Sequence, residues 1–221
     1  MRKIVINFIL HIDDYIYTIA QAVGPWTYVI LFLVIFIETG AVVFPFLPGD
    51  SLLFAAGALA ANPKMNFHVL LFMGLFFIAA LAGDVLNFYL GRTLGYRLVH
   101  HKFFSKFIKE EHIREAENYF EKHGSAAIIL GRYIPIVRTF LPFVAGLSQY
   151  PVADFIKRVL LAAFSWSLIA TGAGYLFGNI SFVKAHFSAI VLGIVIVTLM
   201  PTVITLLKGR IIQKRNKQMK R

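Results

Sequence analysis

Long apolar runs recur along almost the whole chain, and they restrict the folds open to it more than any other feature. Crossing a hydrocarbon layer about 30 Å thick takes about 20 apolar residues in helical form. Residues 66–91, 155–180 and 182–207 each meet that length and are read as transmembrane helices. Residues 25–61 are equally apolar but are broken by Glu38, Thr39 and the Pro48-Gly49-Asp50 step. Only 15% of the residues are charged, 58% are hydrophobic, and mean hydropathy is +0.73. Those values exclude a disordered chain and an ordinary water-soluble enzyme, which needs about a quarter of its residues charged. The expected fold class is an all-α polytopic membrane protein in a single domain spanning 1–221.

The formal charge is +11, which in a polar chain would suggest nucleic acid. Placement argues otherwise. Seven basic and no acidic residues fill the last 14 positions, directly after an apolar segment. This pattern marks a cytoplasmic tail, residues 208–221, against an anionic leaflet. No groove-reading motif accompanies the charge, so no nucleic-acid partner is expected. There are no cysteines, hence no disulfides and no thiol chemistry.

Residues 1–22 are apolar on one side but carry His11, Asp13 and Asp14, which fits an interfacial helix better than a span or a cleaved signal. Residues 92–123 turn polar, with seven basic and five acidic side chains, and read as a cytoplasmic amphipathic segment capped by Gly124. Residues 125–150 are too short to cross and too apolar for a water-exposed loop. Pro135 and Pro142 interrupt them, which predicts two half-helices in a re-entrant hairpin, while the broken 25–61 segment is left open to crossing or folding back. The halves echo each other weakly: Phe46-Leu47-Pro48 with Ala56-Gly57 against Phe140-Leu141-Pro142 with Ala145-Gly146, each followed by a glycine-rich helix. Interrupted segments at matching positions of two halves point to a transport site and a weak inverted repeat.

Four ionisable residues lie in or beside the broken segments: Glu38, Asp50, Arg132 and Arg138. Burying a charge in a bilayer costs about 2.5–3.5 kcal/mol even on lenient scales, so each needs a partner or a ligand. Mutual pairing of two acids with two bases is the structural explanation. A ligand-binding one starts from the spacing of the arginines. Six residues on a straight helix would splay them about 240° apart, whereas a break at Pro135 lets both face one cavity. Two guanidinium forks on one cavity suit a phosphate, so Arg132 and Arg138 are assigned to substrate phosphate. Glu38 and Asp50 are assigned to proton coupling, since desolvation favours the protonated carboxyl; Asp50 also fits a helix N-cap. Asp84, Asn87 and Tyr133 are placed in the cavity lining, with pairing to an arginine the alternative for Asp84 and Asn87. Glycines 83, 91 and 95 with Asn87 form a small-residue strip suited to close helix packing. Trp26 and Trp166 are read as interfacial anchors or packing. The histidines match no ligand spacing, and there is neither a phosphate-cradling loop nor a nucleophile elbow. No metal, cofactor or enzymatic activity is expected.

The stretches Glu38-Thr39-Gly40 and Phe44-Pro45-Phe46-Leu47-Pro48-Gly49-Asp50-Ser51-Leu52-Leu53 resemble the DedA family of membrane proteins. Gly83-Asp84-x-x-Asn87-x-x-x-Gly91-Arg92, His123-Gly124 and Arg132-Tyr133-x-Pro135-x-x-Arg138-Thr139-x-x-Pro142-x-x-Ala145-Gly146 extend the likeness over nearly the whole chain. The resemblance implies a multi-pass protein of the bacterial cytoplasmic membrane with two opposed re-entrant hairpins, an architecture shared with eukaryotic lipid scramblases. It also implies a link to the proton motive force and return of the carrier lipid undecaprenyl phosphate across the membrane, or handling of phosphatidylethanolamine. The acidic and arginine pairs important in the family fall on Glu38, Asp50, Arg132 and Arg138. The expected partners are a membrane lipid and protons, with a homo-oligomer left open. A proton-coupled cation or drug exporter, with structural arginines, is the rival reading. A lipid phosphatase and an indirect envelope scaffold stand further back.

Overall fold

The computed structural model describes residues 12–40, 49–100, 114, 118, 120–178, 180–186, 189–194 and 196–197. All regular structure among them is helical. In chain order the helices are α1 (Ile12–Val23), α2 (Trp26–Gly40), α3 (Gly49–Ala61), α4 (Val69–His100), α5 (Ala127–Leu130), α6 (Pro135–Leu147), α7 (Val152–Phe177) and α8 (Ser181–Ala185). Short 3₁₀ turns at Gly124–Ala126 and Gly131–Tyr133 flank α5. Two helices, within Val69–Leu94 and Val152–Phe177, are long and apolar enough to span a bilayer. The 208–221 tail, residues 101–113, and the start of the 1–22 segment lie outside the described residues. Of the 182–207 segment, the described residues are 182–186, in and just after α8, and the helical residues 189–194 and 196–197.

Gly24, at φ +56, turns the chain from α1 into α2. Residues 25–61 form two helices, α2 and α3, on either side of residues 41–48, which lie outside the described residues. The helix expected at 66–91 does not stop there but runs on to His100. Thr93-Leu94-Gly95-Tyr96 offers no proline to break it, and Arg92 is held at the packed surface by donating to the Tyr150 carbonyl at 2.9 Å. In the 125–150 segment the chain breaks once. Ile134 is extended (φ −109, ψ 112), as a residue before proline prefers, and α6 starts at Pro135. Pro142 was expected to interrupt the segment as well, yet α6 continues through it. One missing backbone hydrogen bond is tolerable where the helix is buried, and Phe140, Leu141, Phe143, Val144 and Ala145 all are.

Two interlocks hold the bundle together. On one side α3 packs on α7; on the other α6 packs on α4. A Cβ added at Gly57 would sit 2.1 Å from the Thr171 carbonyl oxygen, and one at Gly174 would sit 2.0 Å from that of Phe54. The second pair repeats the scheme: Gly146 against Phe88 O and Gly91 against Phe143 O, both at 2.0 Å. Each interlock is thus a Phe-x-x-Gly step, Phe54/Gly57 or Phe143/Gly146, facing a partner helix whose glycine stands three residues after the carbonyl it meets. Contact this close is open only to glycine. Gly83 belongs to another seam, where a Cβ would be 2.9 Å from Gly40 N, so the small-residue strip on α4 serves α2 as well as α6. Between the interlocks lies a core of Ile35, Leu53, Phe72, Phe76, Ala79, Ala80 and Trp166.

Candidate functional site: a charge cluster on one indole

Five helical pieces each deliver one charged side chain to the middle of the bundle. Glu38 stands in the last turn of α2, Asp50 in the first turn of α3, and Asp84 midway along α4. Arg132 sits in the 3₁₀ turn before the Ile134 break, and Arg138 in the first turns of α6 after it. Because the chain changes direction at Ile134, the arginines converge rather than splay.

Arg138 holds both carboxylates expected to carry protons. Its Nη1 donates to Asp50 Oδ1 and Oδ2 at 2.8 and 2.9 Å, and its Nη2 donates to Glu38 Oε1 at 2.7 Å. Arg132 donates instead to Asp84 Oδ2, an ion pair buried on both sides. The sequence reading matched two acids with two arginines; the structure has three acids. Asp84, for which the sequence leaves a place in the wall or a pairing with an arginine open, is the ionic partner of Arg132. Asn87, also expected in the wall, lies one turn beyond Asp84 and donates to the Thr139 carbonyl at 2.9 Å, tying α4 to α6. Tyr133 is about half exposed and donates to Ser165 Oγ at 2.8 Å.

The residue missed by sequence reasoning is Trp166 on α7. It is 5% exposed and lies beneath both arginines, with the Arg132 guanidinium carbon 4.6 Å and that of Arg138 5.7 Å from its ring. Its Nε1–H donates to Asp50 Oδ1 at 2.7 Å. A tryptophan eleven residues from the end of a long apolar helix looks like packing until the arginines above it are seen. Gly49 completes the fit, since a Cβ there would come within 2.0 Å of Glu38 Oε2.

Glu38, Thr39, Asp84, Arg132, Arg138, Thr139 and Trp166 enclose a cavity of about 20 Å³, room for about one water. The ion pairs fill the site. Arg132 Nε and Asp84 Oδ1 are buried with no hydrogen-bond partner among the described residues, so the cluster retains unused capacity for a polar ligand. Among the described residues, no group of three or more His, Asp or Glu could hold a metal.

The model for the VTT domain matches residues 47–176, which include α3 through all but the last residue of α7 and four of the five charged residues. Protein DedA of Escherichia coli K12 is 42% identical over 205 residues, 93% of each chain. The chain belongs to the DedA family. An uncharacterized membrane protein of Mycobacterium leprae is 38% identical over 196 residues, 89% of this chain and 85% of that one. Inner membrane protein YqjA of Escherichia coli K12 is 37% identical over 152 residues, 69% and 68% of the two chains. No solved structure matches the chain. As a DedA-family membrane protein it holds its charge cluster in the setting where an unpaired charge is most costly.

Proposed function

We propose that this DedA-family protein is a proton-motive-force-linked translocase of phosphate-bearing membrane lipids, with undecaprenyl phosphate as the preferred substrate and a phospholipid such as phosphatidylethanolamine as the alternative. The observation that carries the reading is the convergence of Arg132 and Arg138 on one buried indole, with carboxylates occupying their forks. A carboxylate and a phosphate offer a guanidinium the same pair of oxygens, so one can replace the other at the same donors.

With every member ionised the cluster has three negative and two positive charges, an excess of one negative. A proton on Glu38 or Asp50 removes that excess and weakens the claim of the carboxylate on Arg138. A second proton, on the other of these two carboxylates, leaves the cluster with an excess of one positive charge, and the headgroup phosphate takes the vacated donors against that charge. Release on the other face reverses the exchange: the carboxylates lose their protons and reclaim Arg138. Proton movement and phosphate movement are linked because the carboxylates that take the protons compete with the phosphate for one guanidinium.

The interlocks support the expected pair of opposed hairpins. The α3/α7 and α6/α4 contacts are two copies of one packing scheme, and each carries a member of the cluster at the start of its shorter helix, Asp50 on α3 and Arg138 on α6. In this reading the two hairpins enter from opposite faces of the bacterial cytoplasmic membrane, and the basic tail lies in the cytoplasm. The reading is tested in proteoliposomes by flipping of labelled undecaprenyl phosphate beside labelled phosphatidylethanolamine, with and without an imposed pH gradient. Gradient-dependent movement of the carrier lipid is the expected outcome. Movement of phosphatidylethanolamine alone would transfer the role to phospholipid, and movement of neither in folded protein would end it.

A further inference from the structure

We propose that Asp84 is a specificity-determining residue: its second carboxylate oxygen accepts a hydrogen bond from the P–OH of a lipid phosphate monoester, and so selects monoesters over the diester headgroups of ordinary phospholipids. The inference rests on the phosphate reading above and names the class of phosphate that reading admits.

Arg132 and Asp84 form an ion pair through Nη1 and Oδ2, buried on both sides. Both residues line the cavity of the cluster, and each keeps one buried polar atom without a hydrogen-bond partner among the described residues, Nε of Arg132 and Oδ1 of Asp84. The first is a donor and the second an acceptor. Asn87 Oδ1, one turn along α4, is a further buried acceptor without a partner there. An ionised phosphate diester brings only acceptors: it satisfies the arginine and turns lone pairs towards the aspartate. A monoester that keeps one proton carries P–O⁻ for Arg132 and P–OH for Asp84 on the same phosphorus.

The donor and the acceptor belong to side chains already in contact, so a ligand that meets both must hold its own acceptor and donor within one small group. Phosphatidylethanolamine has a donor, its ammonium, but an ethanolamine arm separates it from the phosphorus, and it is a cation brought beside two arginines. The cavity of about 20 Å³ has room for about one water, which can serve the same two atoms while Glu38 and Asp50 hold Arg138. A protonated monoester reproduces both hydrogen bonds in the water's place; a diester reproduces one and leaves a buried carboxylate oxygen without a donor. Charge does not make this choice, because the diester and the singly protonated monoester each carry one negative charge. A monoester loaded in this form also takes a proton with it, and its last proton dissociates at about pH 6, so loading is favoured at the more acidic face of the membrane.

The test is displacement of a fluorescent short-chain phosphatidic acid from the full-length protein in phosphatidylcholine nanodiscs. The competitors are unlabelled phosphatidic acid, phosphatidylmethanol and phosphatidylethanolamine with the same chains, and inorganic phosphate. At about pH 5.5 phosphatidic acid is expected to bind about tenfold more tightly than phosphatidylmethanol, and at about pH 8 less than about twofold more tightly. Attraction by charge alone predicts the reverse, since phosphatidic acid gains a second charge as the pH rises. The charged groups around Asp84 are Arg132 from the turn before Ile134, Arg138 from α6, Glu38 from α2 and Asp50 from α3. Their titration acts on both lipids, so the ratio of affinities is the readout. Equal binding of the two lipids at about pH 5.5, phosphatidylethanolamine binding as tightly as phosphatidic acid, or a preference that grows with pH would overturn the inference, and none of these outcomes depends on a variant.

In Asp84→Asn the amide oxygen stays with Arg132 Nη1 and the NH₂ turns a donor to the ligand, so in folded protein the ratio at about pH 5.5 is expected to fall below about twofold. An unchanged ratio would overturn the inference. Inorganic phosphate has a P–OH but no tail and is expected to compete about a hundredfold more weakly than phosphatidic acid. Competition as strong as that of the lipid would assign the site to free phosphate and overturn the selection of lipid monoesters. Arg138→Ala is expected to lose phosphatidic acid binding. Equal binding of monoester and diester that still depends on Arg138 would overturn this inference alone, whereas binding unchanged in Arg138→Ala would overturn the phosphate reading and this inference with it.

Discussion

The two arginines lie over the same ring, yet they are held in different ways. Arg138 spends three hydrogen bonds on two carboxylates from two helices, α2 and α3, whereas Arg132 uses one nitrogen on a single carboxylate from α4. Arg132 is also the deeper of the two and sits closer to the indole. In the proposed mechanism Arg138, shared between two carboxylates, is the arginine that exchanges, and Arg132, with a single carboxylate partner and a spare Nε, is the one onto which a phosphate is drawn.

Removing either side chain breaks the comparison most sharply. Arg138→Ala takes the cation away from both Glu38 and Asp50 and is expected to lower stability by roughly 3–5 kcal/mol, with at least a hundredfold loss of lipid flipping in proteoliposomes. Arg132→Ala takes the cation away from one carboxylate, so its thermal unfolding temperature should fall less, while flipping is lost as fully. A larger stability loss at 132 than at 138 would contradict the division of labour.

Lysine replacements come next in size. An ammonium cannot span Asp50 and Glu38 as a planar fork does, so Arg138→Lys should lose flipping by more than tenfold. Arg132→Lys can still meet Asp84 through one nitrogen, and its loss should be several times smaller. Similar rates for the two lysine variants would erase the distinction.

The glycine interlocks offer a milder comparison. Gly57→Ala and Gly146→Ala each force a methyl into a neighbouring carbonyl, and each is expected to cost about 1–3 kcal/mol in chemical or thermal unfolding, with the two values within about 1 kcal/mol of each other. Unequal costs would show that the interlocks are not equivalent supports. Smallest of all is Tyr133→Phe, which removes one half-exposed hydrogen bond to Ser165; stability should change by no more than about 1 kcal/mol and flipping by less than threefold.

Much of this was legible in the sequence because lipid leaves few choices. Apolar length alone delivered α4 and α7, and the cost of a buried charge singled out Glu38, Asp50, Arg132 and Arg138, which the fold brings into one cluster. Pro135 announced the break that aims the arginines, and the preceding Ile134 supplies it. What could not be read was pairing across helices. Asp84 on α4 is 48 residues from Arg132, and nothing local decides between lining the wall and pairing with an arginine. Trp166 reads in sequence as an interfacial anchor or packing, because the two arginines and the aspartate that it touches come from other parts of the chain. Pro142 misled for the opposite reason, since a local rule against proline in helices yields to burial against α4. The Phe-x-x-Gly interlocks are partly visible as Ala56-Gly57 and Ala145-Gly146, and Gly91 as part of the packing strip, but Gly174 and the pairing of each glycine emerge only from the carbonyls they face.

The central claim is that two arginines read the phosphate of a lipid, and equilibrium binding of undecaprenyl phosphate against undecaprenol, the same tail with a neutral head, measures that directly. The wild-type protein in nanodiscs should bind the phosphate at least tenfold more tightly than the alcohol, and Arg132→Ala and Arg138→Ala should each abolish the preference while still binding the tail. Equal affinity of the wild type for both lipids, or a preference that survives loss of Arg138, would contradict the account.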